Sequence, residues 1–198
     1  MATVDDENAG APPSDAEPAD QHDPALDPAQ PDAGEPGADP RTTIAGRYAV
    51  DLTTPATGSG IAVAHHGRDL RTRNPVVVKT LRLEYRADPE MRARFRREAR
   101  LLQFLSHPNV IRALTFSEER GAPWLVLEYV QGRTLREAIA AGLPFSPEEV
   151  VPVLEGLAAA LDHLHARGLV HLDVRPENIV ITPDDGAKLV DFGVAQTA

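Results

Sequence analysis

Two polar clusters, each directly after an apolar strand, constrain the fold of this 198-residue chain more than any other feature. Residues 171–178 hold a histidine, two acids and an asparagine within eight positions. The second cluster, Asp-Phe-Gly at 191–193, begins thirteen residues after Asn178. Because Asn178 and Asp191 leave adjacent predicted strands, we expect their side chains to converge, and such oxygens suit Mg²⁺. Asp173 would then be free to accept a proton.

The pattern around these clusters predicts a fold of the α+β class, because strands and helices come in blocks and not in strict alternation. Residues 89–105 carry apolar side chains at helical spacing. Capping boxes at Thr134-x-x-Glu137 and Ser146-Pro147-x-Glu149 predict the starts of two more helices. Strands are predicted for apolar runs at 76–78, 124–127, 169–170, 179–181 and 188–190.

Glu98 and Lys79 are predicted to form an ion pair. Glu98 lies on the apolar face of the predicted helix, and a buried carboxylate costs several kcal/mol unless it is paired. Lys79 ends an apolar strand and is one of only two lysines beside 18 arginines, which suggests that a compact charge is required there. Taken alone, the two residues would more simply be a surface lysine and a helix-edge glutamate.

Charge divides the chain into an acidic arm and a nearly neutral body. Residues 1–40 contain eleven acids and no Lys or Arg, so the overall charge of -10 leaves the rest at +1. Eight prolines and few apolar residues within 1–43 predict a disordered tail. The composition argues against a nucleic-acid partner, which would favour a basic surface, and against a membrane span. The absence of cysteine excludes disulfides and thiol catalysis and fits a cytoplasmic location.

Together these motifs resemble the eukaryotic-type protein kinases, and in particular their bacterial Ser/Thr branch. The resemblance runs from about Arg47 to Gln196 and rests on five motifs in the family's order. They are Val76-Val77-Val78-Lys79 for V-A-I-K, Glu98 of helix C, His107-Pro108-Asn109-Val110, the hinge at 125–130, and H-x-D-x-x-x-x-N followed by D-F-G. The resemblance implies a kinase-like N-lobe of antiparallel sheet and helix C over 44–130, and a partial helical C-lobe over 131–198.

The resemblance also implies ATP and Mg²⁺ as cofactors and phosphoryl transfer to Ser or Thr of a protein substrate. Lys79 would hold the phosphates and Glu98 would orient it, while Asp173 would accept the hydroxyl proton. Arg175 replaces the loop lysine near the transferred phosphate. The implied metal ligands are Asn178 and Asp191. The implied nucleotide contacts are Lys79, Gly58, Gly60, Ala62, Val63, Val77, Leu127 as gatekeeper, the backbone of Glu128 and Val130, and Val180 beneath the base.

Several positions depart from the family's pattern. The glycine-rich loop at 58–63 is one residue short and carries Ala62 at the third glycine, so it should cradle ATP less well. Leu172 replaces the arginine of H-R-D. The A-P-E motif and later helices are missing from the sequence, so we expect an incomplete C-lobe. The alternatives to a protein kinase are therefore a nucleotide-binding pseudokinase and an inactive interaction fragment that regulates a partner.

Overall fold

A six-stranded antiparallel sheet occupies the first half of the molecule, with strand order β1-β2-β3-β4-β6-β5. The computed structural model describes residues 42–57, 60–119, 121–142, 145–183 and 186–197. The strands are β1 (Thr42–Ile44), β2 (Tyr48–Thr57), β3 (Ala62–Asp69), β4 (Pro75–Leu81), β5 (Ala113–Glu119) and β6 (Ala122–Glu128). The register between β2 and β3 shifts on either side of Pro55, whereas β3 and β4 pair without a shift.

The alternation of side chains along β4 and β6 gives this sheet two apolar faces. One face belongs to a small core, whose members in these two strands are Val76, Val78, Trp124 and Val126. The other face, called here the inner face, packs into the main core through Val77, Leu81, Leu125 and Leu127. Lys79 lies on the inner face because it pairs directly with Leu125. The period-2 pattern thus places this lysine among apolar neighbours.

Helix α1 (Pro89–Gln103) covers the inner face. It begins where the side chain of Asp88 accepts hydrogen bonds from the backbone N–H groups of Glu90 and Met91, with proline at the first helical position. Phe95, Ala99 and Leu102 on its apolar stripe are fully buried. The helix predicted over 89–105 is confirmed, although it ends two residues earlier because the chain turns at Phe104.

The second half contains two capped helices and short strands. Both predicted capping boxes are formed, at Thr134 for α2 (Leu135–Ala140) and at Ser146 for α3 (Pro147–His165). The strands form two small sheets, β10-β9-β7 and β11-β8. They are β7 (Arg133–Thr134), β8 (Leu169–Val170), β9 (Ile179–Thr182), β10 (Gly186–Leu189) and β11 (Gln196–Thr197). A short 3₁₀ helix, Pro176–Asn178, precedes β9.

The segment after α1 joins the two halves. The backbone N–H of Ile111 donates to the carbonyl of Leu189, and the N–H of Leu189 donates to the carbonyl of Asn109, both at 2.9 Å. The Asn109 side chain adds a bond of 2.7 Å to the carbonyl of Ala187, 78 residues away. β10 is therefore fixed to the first half, and it leads directly to Asp191.

The α+β class predicted from the sequence is confirmed. Strand β1 pairs with β2 from Thr42 onward, so the sheet includes two residues before the boundary predicted at 43/44. Of the disordered tail predicted at 1–43, residues 1–41 lie outside the described residues, whereas Thr42 and Thr43 belong to β1. Within the described part of the chain, no helix is both long and apolar enough to cross a membrane.

Candidate active site

Lys79, Glu98 and Asp191 form a cluster of three charges at the inner face of the sheet. The Lys79 Nζ donates to Glu98 Oε1 at 2.6 Å and to Asp191 Oδ1 at 2.8 Å. Strand β4 supplies the lysine, α1 supplies the glutamate and the turn after β10 supplies the aspartate. The Glu98 side chain is 5% exposed, so the pair predicted from the sequence is formed in a buried setting.

Lys79 and Asp191 stabilise each other's charged forms. Burial alone would lower the pKa of Lys79, but the carboxylates of Glu98 and Asp191 outweigh burial and raise it to about 12. Burial alone would raise the pKa of Asp191, but Lys79 and the backbone N–H of Gly193 outweigh burial and lower it. Two carboxylates and one ammonium leave this cluster with a net charge of -1, which favours a cation.

Residues of the segment 171–178, called here the 171–178 loop, meet beside this cluster. The Asn178 Nδ2 donates to the Asp173 Oδ2 at 2.8 Å and to the Asp173 carbonyl at 2.9 Å. The backbone N–H of Val190 donates to the carbonyl of Asn178 at 3.0 Å, which places Asp191 next to this loop. The structure therefore brings Asp173, Asn178 and Asp191 together, as their positions after apolar strands predict.

His171 supports the loop from beneath. Its ring is 2% exposed and packs edge-on against Phe192, with ring centroids 4.7 Å apart. Its Nδ1 accepts a hydrogen bond from the backbone N–H of Asp173 at 3.3 Å. Burial lowers the pKa of His171, against the opposing influence of Asp191 and Asp173, which favours the neutral ring that this hydrogen bond requires. This role is structural.

The donor set fits Mg²⁺. Among the described residues, no hydrogen bond reaches Asp191 Oδ2 or Asn178 Oδ1, so two hard oxygen ligands are available. The described residues contain no group of three His, Asp or Glu side chains placed to hold a metal alone. Two protein oxygen ligands suit Mg²⁺, because this ion is also coordinated by oxygens of water and of substrate phosphates.

On the exposed side of the 171–178 loop, two arginines bind one carboxylate. Arg175, predicted near the transferred phosphate, donates from Nε to Glu177 Oε2 at 2.9 Å. Arg136 of α2 holds the other carboxylate oxygen, with Nη2 at 2.7 Å. The two guanidinium groups, Arg175 first, lower the pKa of Glu177 to about 2. Leu172, in place of the motif's arginine, is 62% exposed and has a positive φ of 64°.

The predicted adenine contacts are only partly brought together. Val77 and Leu127 lie opposite each other across β4 and β6 on the inner face, and Val130 packs against the same core. The Val130 N–H makes no hydrogen bond within the described residues, so it is available to a ligand. Val180 is buried on β9, outside that core.

The strand register contradicts the prediction for Val63. Val63 pairs with Thr80, whereas Ala64 pairs with Lys79. Directly opposed residues share a face, so Ala64 and not Val63 lies on the inner face with the lysine. Ala62 is buried opposite Leu81. Gly60 has a φ of +63°, which favours glycine, while Gly58 lies outside the described residues.

Sequence reasoning missed a second lysine at the site. The Lys188 Nζ donates to Glu128 Oε1 at 2.7 Å, and the backbone N–H of Arg112 donates to the same oxygen at 3.0 Å. The hinge residue is thereby attached to β10, three residues before Asp191. The rarity of lysine in the chain singles out Lys188 as much as Lys79.

Comparison with known proteins agrees with this geometry. A family model described as the protein kinase domain matches residues 57–198. The chain belongs to the protein kinase family. This kinase chain is 38% identical over 141 residues to a probable serine/threonine-protein kinase of Streptomyces coelicolor, covering 69% of this chain and 21% of that protein.

Two further relatives are serine/threonine-protein kinases of other bacteria. PrkC of Bacillus subtilis is 38% identical over 138 residues, covering 70% of this chain and 21% of PrkC. PknB of Mycobacterium leprae is 35% identical over 141 residues, covering 69% of this chain and 23% of PknB. The kinase chain thus spans between a fifth and a quarter of the length of the curated relatives it matches.

Proposed function

We propose that this chain binds MgATP beside the inner face of the sheet and transfers a phosphoryl group to Ser or Thr of a protein substrate. The observation that carries the proposal is the Lys79 Nζ held between Glu98 and Asp191 at 2.6 and 2.8 Å. This arrangement supports the proposal, because an ammonium group that can bind phosphate lies beside a carboxylate that can bind a metal ion. The names of the relatives, all serine/threonine-protein kinases, support the substrate class.

The proposed roles follow from the contacts. Lys79 binds the phosphates, and Glu98 keeps its ammonium in place. Asp191 and Asn178 bind Mg²⁺, which neutralises phosphate charge when bound. Asp173, oriented by the Asn178 amide, accepts the proton of the substrate hydroxyl as that oxygen bonds to the γ-phosphorus and ADP leaves. The hinge backbone at Glu128 and Val130 binds the adenine edge.

We also propose the limits of the two lobes and the residues that surround the base. The N-lobe and hinge comprise residues 44–130, extended by strand β1 from Thr42, and the partial C-lobe comprises 131–198. Val77 and Leu127 cover the base from the sheet, Ala64 takes the position first assigned to Val63, and Val180 lies beneath the base.

A nucleotide-binding pseudokinase that regulates a partner is the second candidate. The observation that favours it is the Glu177 carboxylate holding Arg175, since a phosphate would have to displace this contact. Leu172 cannot replace the charge of the arginine that it substitutes. Both candidates require the same nucleotide site, so they differ only in phosphoryl transfer.

Binding is tested by thermal unfolding of the full chain with ATP, with and without Mg²⁺. A ligand at one hundred times its Kd stabilises the folded state by about 2.7 kcal/mol, so a clear rise in Tm is expected. Asp191→Ala should abolish the Mg²⁺-dependent part of this rise. The control is Asp162→Ala, an exposed aspartate on α3. Absence of any MgATP effect on the wild-type chain would refute both candidates.

Transfer is tested separately with radiolabelled ATP and a generic Ser/Thr protein substrate. Wild-type chain should incorporate label, whereas Asp173→Asn should bind MgATP as before and incorporate none. Binding without any incorporation by the wild type would favour the pseudokinase instead.

A further inference from the structure

Helix α1 has five arginines, but within the described part of the chain only one of them donates a hydrogen bond to the Asp-Phe-Gly turn. The Arg94 Nε donates to the Gly193 carbonyl at 3.0 Å, across 99 residues of sequence. Its neighbour Arg96 instead pairs with Glu118 on β5 at 2.7 Å. The five arginines are Arg92, Arg94, Arg96, Arg97 and Arg100. Arg94 therefore differs from the others in what it holds.

Arg94 and Glu98 lie four residues apart, one turn along the same side of α1. Glu98 reaches the turn through Lys79, which also contacts Asp191. Arg94 reaches it through the carbonyl of Gly193, whose own N–H donates to Asp191 Oδ1 at 3.1 Å. The helix thus holds the turn at two points, and both chains of contacts end at the same aspartate.

Two attachments, one helical turn apart on α1, constrain the orientation of the Asp-Phe-Gly turn more than a single attachment would. The Lys79 bridge alone fixes a distance between α1 and Asp191, but the turn could still rotate about that bond. The second contact, at Gly193, opposes such rotation, and the Gly193 N–H itself donates to Asp191 Oδ1. Among the described residues, Arg94 is the only side chain that donates to the Gly193 carbonyl.

We propose that Arg94 is a positioning residue for the metal-binding carboxylate. By holding the Gly193 carbonyl it fixes the orientation of Asp191, and so it controls the Mg²⁺-dependent part of ATP affinity without touching nucleotide or metal. This inference rests on the proposed function. Only residues of α1 and of the Asp-Phe-Gly turn form the contact between Arg94 and Gly193, so it forms in the unmodified chain.

An arginine suits this position because of its surroundings. Arg94 lines a cleft of about 620 Å³ together with Arg97, Phe192, Gly193 and the residues that follow. Water has access to such a cleft and competes for the carbonyl. A guanidinium is rigid and planar, so it loses less conformational freedom for each hydrogen bond than the flexible ammonium of lysine. Lysine at position 94 should therefore restore the contact only in part.

The test compares ATP affinity in Mg²⁺ with ATP affinity in EDTA, by calorimetric titration of the full chain. The ratio of the two affinities isolates the metal-dependent part. Arg94→Gln should lower this ratio about tenfold, since a hydrogen bond to a charged group is lost, and should leave affinity in EDTA within about twofold. Arg94→Lys should recover part of the ratio. Arg96→Gln, on the same helix, should leave it unchanged.

The outcomes separate this inference from the function on which it rests. If Asp191→Ala lowers the ratio but Arg94→Gln does not, the inference is wrong and the nucleotide site stands. Equal losses with and without Mg²⁺ in Arg94→Gln would also overturn it, because they would show a general effect on the fold. If Asp191→Ala leaves the ratio unchanged, the proposed function itself fails. If Arg94→Gln does not fold, the ratio of ATP affinities in Mg²⁺ and in EDTA is compared between wild type and Arg94→Lys.

Discussion

The two sides of the candidate site are built from the same kind of triad with opposite charge. On one side a single cation, Lys79, lies between the carboxylates of Glu98 and Asp191. On the other side a single carboxylate, Glu177, lies between the guanidinium groups of Arg136 and Arg175. The first triad has a net charge of -1 and the second +1. A metal ion suits the first and an anionic phosphate suits the second.

Burial separates the two triads. The side chains of Lys79 and Glu98 are 14% and 5% exposed, whereas those of Arg136 and Arg175 are 58% and 52% exposed. Removing one partner of a buried pair leaves an uncompensated charge, while an exposed pair in water contributes little. The fold therefore fixes the contacts of the buried triad and leaves the exposed triad free to exchange partners.

The largest expected effect is on the buried triad. Lys79→Met should lower the free energy of unfolding by about 3–5 kcal/mol, because Glu98 remains buried without a cation. Urea unfolding followed by circular dichroism measures the change. Arg136→Met is the matched change in the exposed triad and should cost only a small fraction of this. Similar losses in the two variants would break the contrast between the triads.

An intermediate effect is expected at the Lys188–Glu128 pair, whose side chains are 13% and 27% exposed. Lys188→Met should lower the free energy of unfolding by about 1.5 kcal/mol, since one charge-assisted hydrogen bond is lost and Arg112 still donates to the same oxygen. Lys188→Arg should retain most of the stability. The same urea titration measures both variants, and a loss as large as that of Lys79→Met would show that burial does not rank these pairs.

The smallest effect is expected at Glu177 and should depend on pH. Its pKa is lowered to about 2 from an ordinary value of 4.5, so its stabilising contribution is present above pH 4.5 and is lost as the pH falls toward 2. Wild type should therefore be slightly more stable than Glu177→Gln at pH 7. The two should converge under acid, as measured by thermal unfolding across pH 2–7. A difference in stability between wild type and Glu177→Gln that persists at pH 2 would contradict the lowered pKa of Glu177.

Lys79 and Asp191 of the buried triad should give no such slope near neutrality. The pKa of Asp191 is lowered and that of Lys79 is raised to about 12, so both groups keep their charge from pH 5 to 9 in the folded chain. Their contribution is lost only in strong acid or as the pH rises toward 12.

Local patterns predicted most of the fold, because capping boxes and apolar spacing act over a few residues. The Lys79–Glu98 pair was predictable since a carboxylate on an apolar helix face needs a partner. The prediction for Val63 was wrong because the position of a residue in the glycine-rich motif does not determine which face of the strand its side chain occupies. Only the pairing with β4 decides that.

The contacts of Arg94 and Lys188 could not be predicted for another reason. The Arg94 contact spans 99 positions of sequence and the Lys188 contact spans 60. No local pattern indicates which distant group a side chain meets. Arginine is common in this chain and usually lies on the surface, so nothing singled out Arg94. The register of β10 against the segment after α1 brings these partners within reach.

The attachment of that segment to β10 has a consequence for the order of folding. The Asn109 side chain bonds to the carbonyl of Ala187, and Ile111 bonds to Leu189, so the sheet-and-helix half lacks part of its hydrogen bonding until residue 189 has been synthesised. Contacts this distant in sequence slow folding, because a long loop must close before they form. We therefore expect the growing chain to acquire its stable structure late, with both halves becoming protected from proteolysis in one step.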